Sequence, residues 1–236
     1  MAELNQVRDG RKGQAFLMYE SGEEISTASA LKKGHFYWIT AKANTSGFDA
    51  NDSVGDTIYI SSASKIALKE GDKVQPIKLA FLGYANDKSL SEQQNTNDVT
   101  CDKDDTANYI SDGITQTSGS INGYNLMLEG DGDEAKALNE IKANFHKIVI
   151  EQADGTRTVN PQAQQKFMIM FNWDAKGIQV GEHFSADIVP CLLTQNDKSG
   201  AYGSGVSMSL NYQGCDSDEE GRKRMEIQST YVAPEA

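Results

Sequence analysis

Cysteine, proline, histidine and positive charge are all scarce in this chain, and each scarcity excludes something. The three cysteines, Cys101, Cys191 and Cys215, are odd in number, widely spaced and never arranged as Cys-x-x-Cys. That argues against a disulfide scaffold and against a zinc site, and for reduced thiols. The net charge is −12 over 236 residues. No lysine and arginine surplus exists to neutralise phosphates, which argues against a nucleic-acid-binding role but says less about a surface that DNA slides past without sticking. Long apolar runs are missing too. The best candidate, residues 167–171, has the length of a strand, and the first residues lack the apolar core of a signal peptide, so a protein made in the cytoplasm is expected.

Chemistry-bearing motifs are equally thin. Gly130 and Gly132 open an expected helix without the third glycine or preceding strand of a dinucleotide fingerprint, and no Walker sequence is present. Tyr202 stands where Gly-x-Ser-x-Gly around Ser204 needs its first glycine. His35, His146 and His183 fall in different elements, which reads as ordinary strand and helix-end histidines. Asp102, Asp104 and Asp105, and Asp131 with Asp133, lack the glycine and glutamate spacing of a calcium loop. A solvated acidic turn and a helix N-terminus explain them. No catalytic residue, cofactor site or metal site is expected.

What remains is alternation. Twenty-one glycines and 38% hydrophobic residues fit a turn-rich globular chain. Strands are expected at 14–19, 35–41, 56–61, 74–84, 147–152, 166–173, 181–193 and 206–212, with turns at 69–73, Asp154-Gly155 and Lys176-Gly177. Residues 166–173 are apolar on both faces, as in a sandwich interior or a subunit interface. In 206–212, Met208, Leu210 and Tyr212 alternate with Ser207, Ser209 and Asn211. One helix is expected after Asp131 or Asp133, with Leu138, Ile141 and Phe145 on one face packing against the sheet. Residues 86–97 read as a polar connector, 195–205 as a flexible polar loop, and 40–56 as a long Gly/Asn/Asp/Ser loop containing Phe48. About nine or ten strands without βαβ alternation give a mostly β chain, an antiparallel β-barrel or sandwich with one packed α-helix and long loops.

The stretch that organises the chain is 98–124. Within it, 115–122 (TQTSGSIN) carries almost no bulk and suits a strand closely approached by another backbone or by an aqueous channel. Thr100-Cys101, the acidic run 102–105, Tyr109 through Gly113, and Ser118-Gly119-Ser120 follow in an order that resembles phage tail tube (major tail) proteins. The resemblance extends over about 98–210.

The resemblance implies a structural virion protein that stacks, as hexameric rings, into the tube conducting the phage genome. Its partners would be itself, other tail proteins, and DNA passing through the lumen without specific binding; no membrane is involved. It would reside in the virion tail. Thr115, Thr117, Ser118, Ser120 and Asn122 become candidates for the lumen or a close-packed strand, and the 40–56 loop, with Thr40, Phe48 and Asp56, a candidate inter-ring contact. Strands around 114–126 and 166–193 take the barrel role. The expected division is 1–97 as N-terminal strands, arm and loop, 98–213 as the barrel core, and 214–236 as a peripheral tail, together one structural domain. Two readings stand beside this one. The first is a capsid-decoration or baseplate protein. The second is a carbohydrate-binding or carbohydrate-cleaving β-sandwich displaying Trp38, Tyr59 and Trp173.

Overall fold

The computed structural model describes residues 13–62, 66–81, 85–98, 109–124, 149–151, 157–159, 166–200 and 207–235. The expected helix with Leu138, Ile141 and Phe145, the acidic run 102–105, and His146 lie outside them. Among the described residues the only helical element is a 3-10 turn, Ala28–Ala30, and the rest of their regular structure is antiparallel β-sheet. No helix of the described residues is long and apolar enough to cross a membrane.

Among the described residues twelve strands form: β1 Gln14–Glu20, β2 Phe36–Ala41, β3 Thr57–Tyr59, β4 Lys73–Phe81, β5 Ala85–Asp98, β6 Tyr109–Tyr124, β7 Val149–Glu151, β8 Arg157–Val159, β9 Phe167–Asn172, β10 His183–Ser199, β11 Ser207–Gly214 and β12 Met225–Thr230. Strands β7 and β8 make a small hairpin of their own. The other ten form one antiparallel sheet in the order β3-β2-β4-β1-β9-β10-β11-β6-β5, with β12 also on β10.

The centre is buried on both sides. Leu17, Ile169, Phe171, Val189, Cys191, Leu210 and Tyr212 build one apolar layer. Met18, Trp38, Met168, Met170, Phe184, Ala186 and Ile188 build another on the opposite face of β1, β9 and β10. The two-sided apolar pattern of 166–173 is thus an interior strand, β9. A third cluster of Tyr37, Ile39, Phe48, Ile60 and Val74 lies outside β2.

Strand β10 decides the architecture. Its 17 residues give one edge to two partners: residues 183–188 pair with β12 and residues 191–199 with β11. Pairing with β9 stops at Cys191. The sheet therefore forks near Pro190. One branch, β10-β11-β6-β5, is a long four-stranded sheet. The other curls through β9, β1, β4, β2 and β3 until β3 lies beside β12.

The expected barrel does not close. Six antiparallel steps separate β3 from β12, so the two run in the same direction, and no ladder joins them. Isolated contacts bridge the seam instead: Lys223 N–H to the Gly55 carbonyl at 2.9 Å and Val232 N–H to Tyr59 Oη at 3.1 Å.

Three polar segments also differ from expectation. Residues 86–97, read as a connector, form most of β5, held in register along β6 by twelve cross-strand pairs. Strand β10 continues through 195–199, read as loop, and 225–230 in the expected tail form β12, with Ile227 buried. Low hydrophobicity hid these strands because each has at least one face open to water.

Candidate functional site

The four-stranded branch is strongly two-faced. Directly paired residues in an antiparallel sheet point to the same side, so the register assigns each position. Towards the core, Leu193, Tyr212, Gly119 and Leu90 form one row, and Leu210 and Ile121 another. Tyr212 is 2 % exposed, and its hydroxyl donates to the Ser89 carbonyl at 2.7 Å. Burial pushes the phenol's pKa well above the ordinary tyrosine range. Gly119 is needed there: a Cβ would fall 2.1 Å from that carbonyl oxygen and 2.3 Å from Tyr212 Oη.

The other face is polar across all four strands. Strand β5 contributes Asp87, Ser89, Ser91 and Gln93, and β6 contributes Gln116, Ser118, Ser120 and Asn122. Strand β11 adds Ser207, Ser209, Asn211 and Gln213, and β10 adds Gln195, Asp197 and Ser199 with one apolar residue, Leu192. Every one of these is exposed or half-buried.

Short side chains hydrogen-bond from strand to strand over this face. Ser89 Oγ meets Ser120 Oγ at 3.1 Å, Ser209 Oγ donates to Asn122 Oδ1 at 2.6 Å, and Asn211 Nδ2 donates to Gln195 Oε1 at 3.0 Å. Gln195 Nε2 in turn donates to Asp197 at 2.6 Å. Among the described residues the face holds two carboxylates and no lysine or arginine. Such a surface offers water many partners and a phosphate no cation.

The candidate strand residues divide accordingly. Ser118, Ser120 and Asn122 lie on the polar face. Thr117 points to the core side, 3 % exposed, and its hydroxyl accepts from the Arg224 guanidinium. Thr115, also on that side by alternation, is exposed beyond the reach of β11. Composition could flag the stretch, but only pairing separates its faces. Strand β5, missed from sequence, carries a signal in hindsight: Ser89, Ser91 and Gln93 alternate with Lys88, Leu90 and Glu92.

Among the described residues this branch has two open hydrogen-bonding edges. Strand β5 ends the sheet, and β10 has no partner on its β9 side beyond Cys191 among the described residues.

The 40–56 loop folds down onto the body. Phe48 is 7 % exposed within the third cluster. The buried Asp72 carboxylate accepts from the amides of Gly47 (2.8 Å), Ala43 (2.9 Å) and Lys69 (3.0 Å). Those bonds outweigh the upward pull of burial and hold its pKa at about 2. Lys42 Nζ donates to the carbonyls of Asp49 and Ala50 at 2.8 and 3.3 Å, and to that of Asp52. Asp56 caps the Ser53 amide at 2.7 Å, and Thr40 donates to Glu24 at 2.5 Å.

A second feature is a cleft of about 900 Å³ in the fork between β12 and β5. Arg224 spans it, paired with Glu92. Trp173 lines one wall, stacked 5.8 Å from Phe171 and donating from Nε1 to Asp187 at 2.6 Å. Trp38 is 1 % exposed, and Tyr59 packs at 5.0 Å against Phe184. An exposed aromatic platform for a sugar is therefore not formed by Trp38, Tyr59 and Trp173. His35 and His183 each bond a different part of the C-terminal segment, at Glu235 and Thr230. No cluster of three metal-ligating side chains occurs among the described residues.

No protein-family model matches the chain, and no curated protein matches it. Among solved structures, the tail of an empty GTA particle, refined helically with C6 symmetry, is similar at a TM-score of 0.36. The two are 14% identical over 65% of this chain and 87% of that one, a likeness too slight to carry an inference.

Proposed function

We propose that the chain is a structural, non-enzymatic virion protein whose copies join into stacked rings of a phage tail tube. The observation that carries this reading is the four-stranded branch, which among the described residues presents a cation-free polar face bounded by two open edges. An exposed edge strand is a template for another chain, and β5 offers 14 residues of it.

Joining β5 of one copy to residues 192–199 of β10 in the next is a heterologous contact, and rotation closes such contacts into a ring. Strand count favours the match. With four antiparallel strands per copy, β10 and β5 run in opposite directions, so antiparallel alternation continues unbroken across every junction. The polar faces then form one continuous inner wall, and Ser118, Ser120 and Asn122 line it. Its side chains are short, its charge is acidic, and DNA would find no anchor along it. By analogy with the tail tube proteins that residues 98–210 resemble, the proposed ring has six copies. The 40–56 loop, locked by Asp72 and Lys42, serves as a rigid knob between rings.

Electron microscopy of the purified chain at rising concentration tests this. Rings or hollow tubes are expected; a monomer that persists at every concentration, with tail initiator proteins present as well as absent, overturns the reading.

A further inference from the structure

We infer that the open seam between β3 and β12 is the insertion site for an extended, lysine- or arginine-bearing segment of a partner protein. Both borders of the seam are strand edges. Ile60 N–H donates to the His35 carbonyl at 3.1 Å, and the Asp56 carbonyl accepts from Ile39 N–H at 2.9 Å. By alternation the main chain of residues 56, 58 and 60 faces β2, and that of Thr57 and Tyr59 faces the seam. Tyr231 donates to the Glu182 carbonyl at 2.8 Å and accepts from Gly181 N–H at 2.9 Å. The odd positions of β12 therefore face β10, and Gln228 and Thr230 face the seam. No ladder joins the two rows. Side chains stand in for one: the Thr57 amide donates to Met225 Sδ at 2.9 Å, a weak acceptor on a flexible side chain, and the Val232 amide to Tyr59 Oη. Thr57 is 1 % exposed, and its hydroxyl has no hydrogen-bond partner among the described residues.

Along the seam lies an opening of about 340 Å³, with Thr57 in its lining. From β12 through β10, β9, β1, β4 and β2 to β3 the curled branch has seven strands. An eighth, antiparallel to both borders, would close it with every junction antiparallel, and eight strands make a barrel that side chains fill. Insertion of this kind draws affinity from main-chain hydrogen bonds. The inserted strand needs both of its own edges free. Every strand of this chain among the described residues is already paired on at least one edge, so the occupant comes from another protein. Its charge follows from the lining. Asp49 and Asp52 stand on the loop side, Glu226 is already engaged by Ser185 and Gln228, and no lysine or arginine among the described residues lines the opening. Lys42 bonds carbonyls of the loop, not these carboxylates. The inference does not depend on ring assembly.

A tethered probe strand on the full chain tests it. Glu235 N–H donates to the Lys33 carbonyl at 3.0 Å, and Gly34 N–H to the Ile60 carbonyl at 2.8 Å, so the C-terminal segment reaches the Ile60 end of β3. A strand appended after residue 236 through a short Gly-Ser linker can enter there, antiparallel to both borders, at an effective concentration near millimolar. The probe is a short strand in which valine alternates with threonine and lysine. Against the chain carrying the linker alone, amide exchange at both 57–59 and 226–230 is expected to slow about tenfold or more. The same probe with proline at alternate positions lacks the amides and should slow neither. Unchanged exchange at either border, or equal slowing by the proline probe, overturns the proposal. Equal slowing with glutamate in place of lysine overturns the charge given to the occupant. Slowing at both borders that rises with the concentration of the unextended chain assigns the seam to a second copy and overturns the partner.

Discussion

Asp72 is sealed from solvent beneath the 40–56 loop, and it ties the loop to the turn before β4 through three backbone amides. Replacing it with alanine leaves those amides without an acceptor and should cost on the order of 2 kcal/mol, read as a shifted urea midpoint. The pH dependence has a definite sign. A carboxylate held at about 2 against an ordinary 3.8 stabilises the fold fully above 3.8, and that contribution drains away as pH falls towards 2. Asp72→Asn should abolish this slope, seen by comparing urea midpoints of both chains between pH 5 and pH 2. Gly119 is the second decisive residue. Gly119→Ala forces a methyl against the Ser89 carbonyl and Tyr212, which should cost about 1–3 kcal/mol by thermal melting. A melt as stable as the native chain's would mean that the close approach between β5, β6 and β11 is looser than described.

At the level of elements, the sequence reading succeeded where an apolar face repeats over several residues, and it missed β12, whose apolar face is only Met225 and Ile227. The alternation of Leu210 and Tyr212 with Ser209 and Asn211 marks β11, and the double apolar pattern of Phe167 through Phe171 marks the central β9. It failed at β5 and at the end of β10, where residues such as Ser91, Gln93, Gln195 and Asp197 have the composition of loops. Pairing along β6 and β11, not burial of their own side chains, makes these segments strands, and pairing partners are not written locally. For the same reason the small-residue stretch 115–122 was legible as unusual, while the separation of Thr117 from Ser118 needed the register. The polar face makes its own prediction. Gln116→Lys with Ser118→Lys adds cations to two exposed positions of that face, should change stability by less than about 0.5 kcal/mol, and on the proposed reading should make the face retain DNA. A filter-binding comparison of native and variant assemblies checks this, and equal retention would contradict the role given to that face.

For the whole molecule, the fork in β10 is the feature from which the rest follows. It lets one chain carry a closely packed body and a four-stranded sheet whose two edges have no partner strand among the described residues. The curled branch stops short of a barrel because seven antiparallel strands bring β3 and β12 together in the same direction. The four-stranded branch has the even count that a repeating antiparallel wall requires. Topology of this kind is invisible to periodicity, since it depends on which half of β10 meets which neighbour.

Amide hydrogen exchange, mapped by peptide and compared between dilute chains and assembled particles, tests the edge-to-edge account most directly. Protection is predicted to rise together in β5 and in residues 192–199 of β10, with β3 unchanged. Particles in which both edges exchange as fast as in the dilute chain, while protection appears elsewhere, would contradict it.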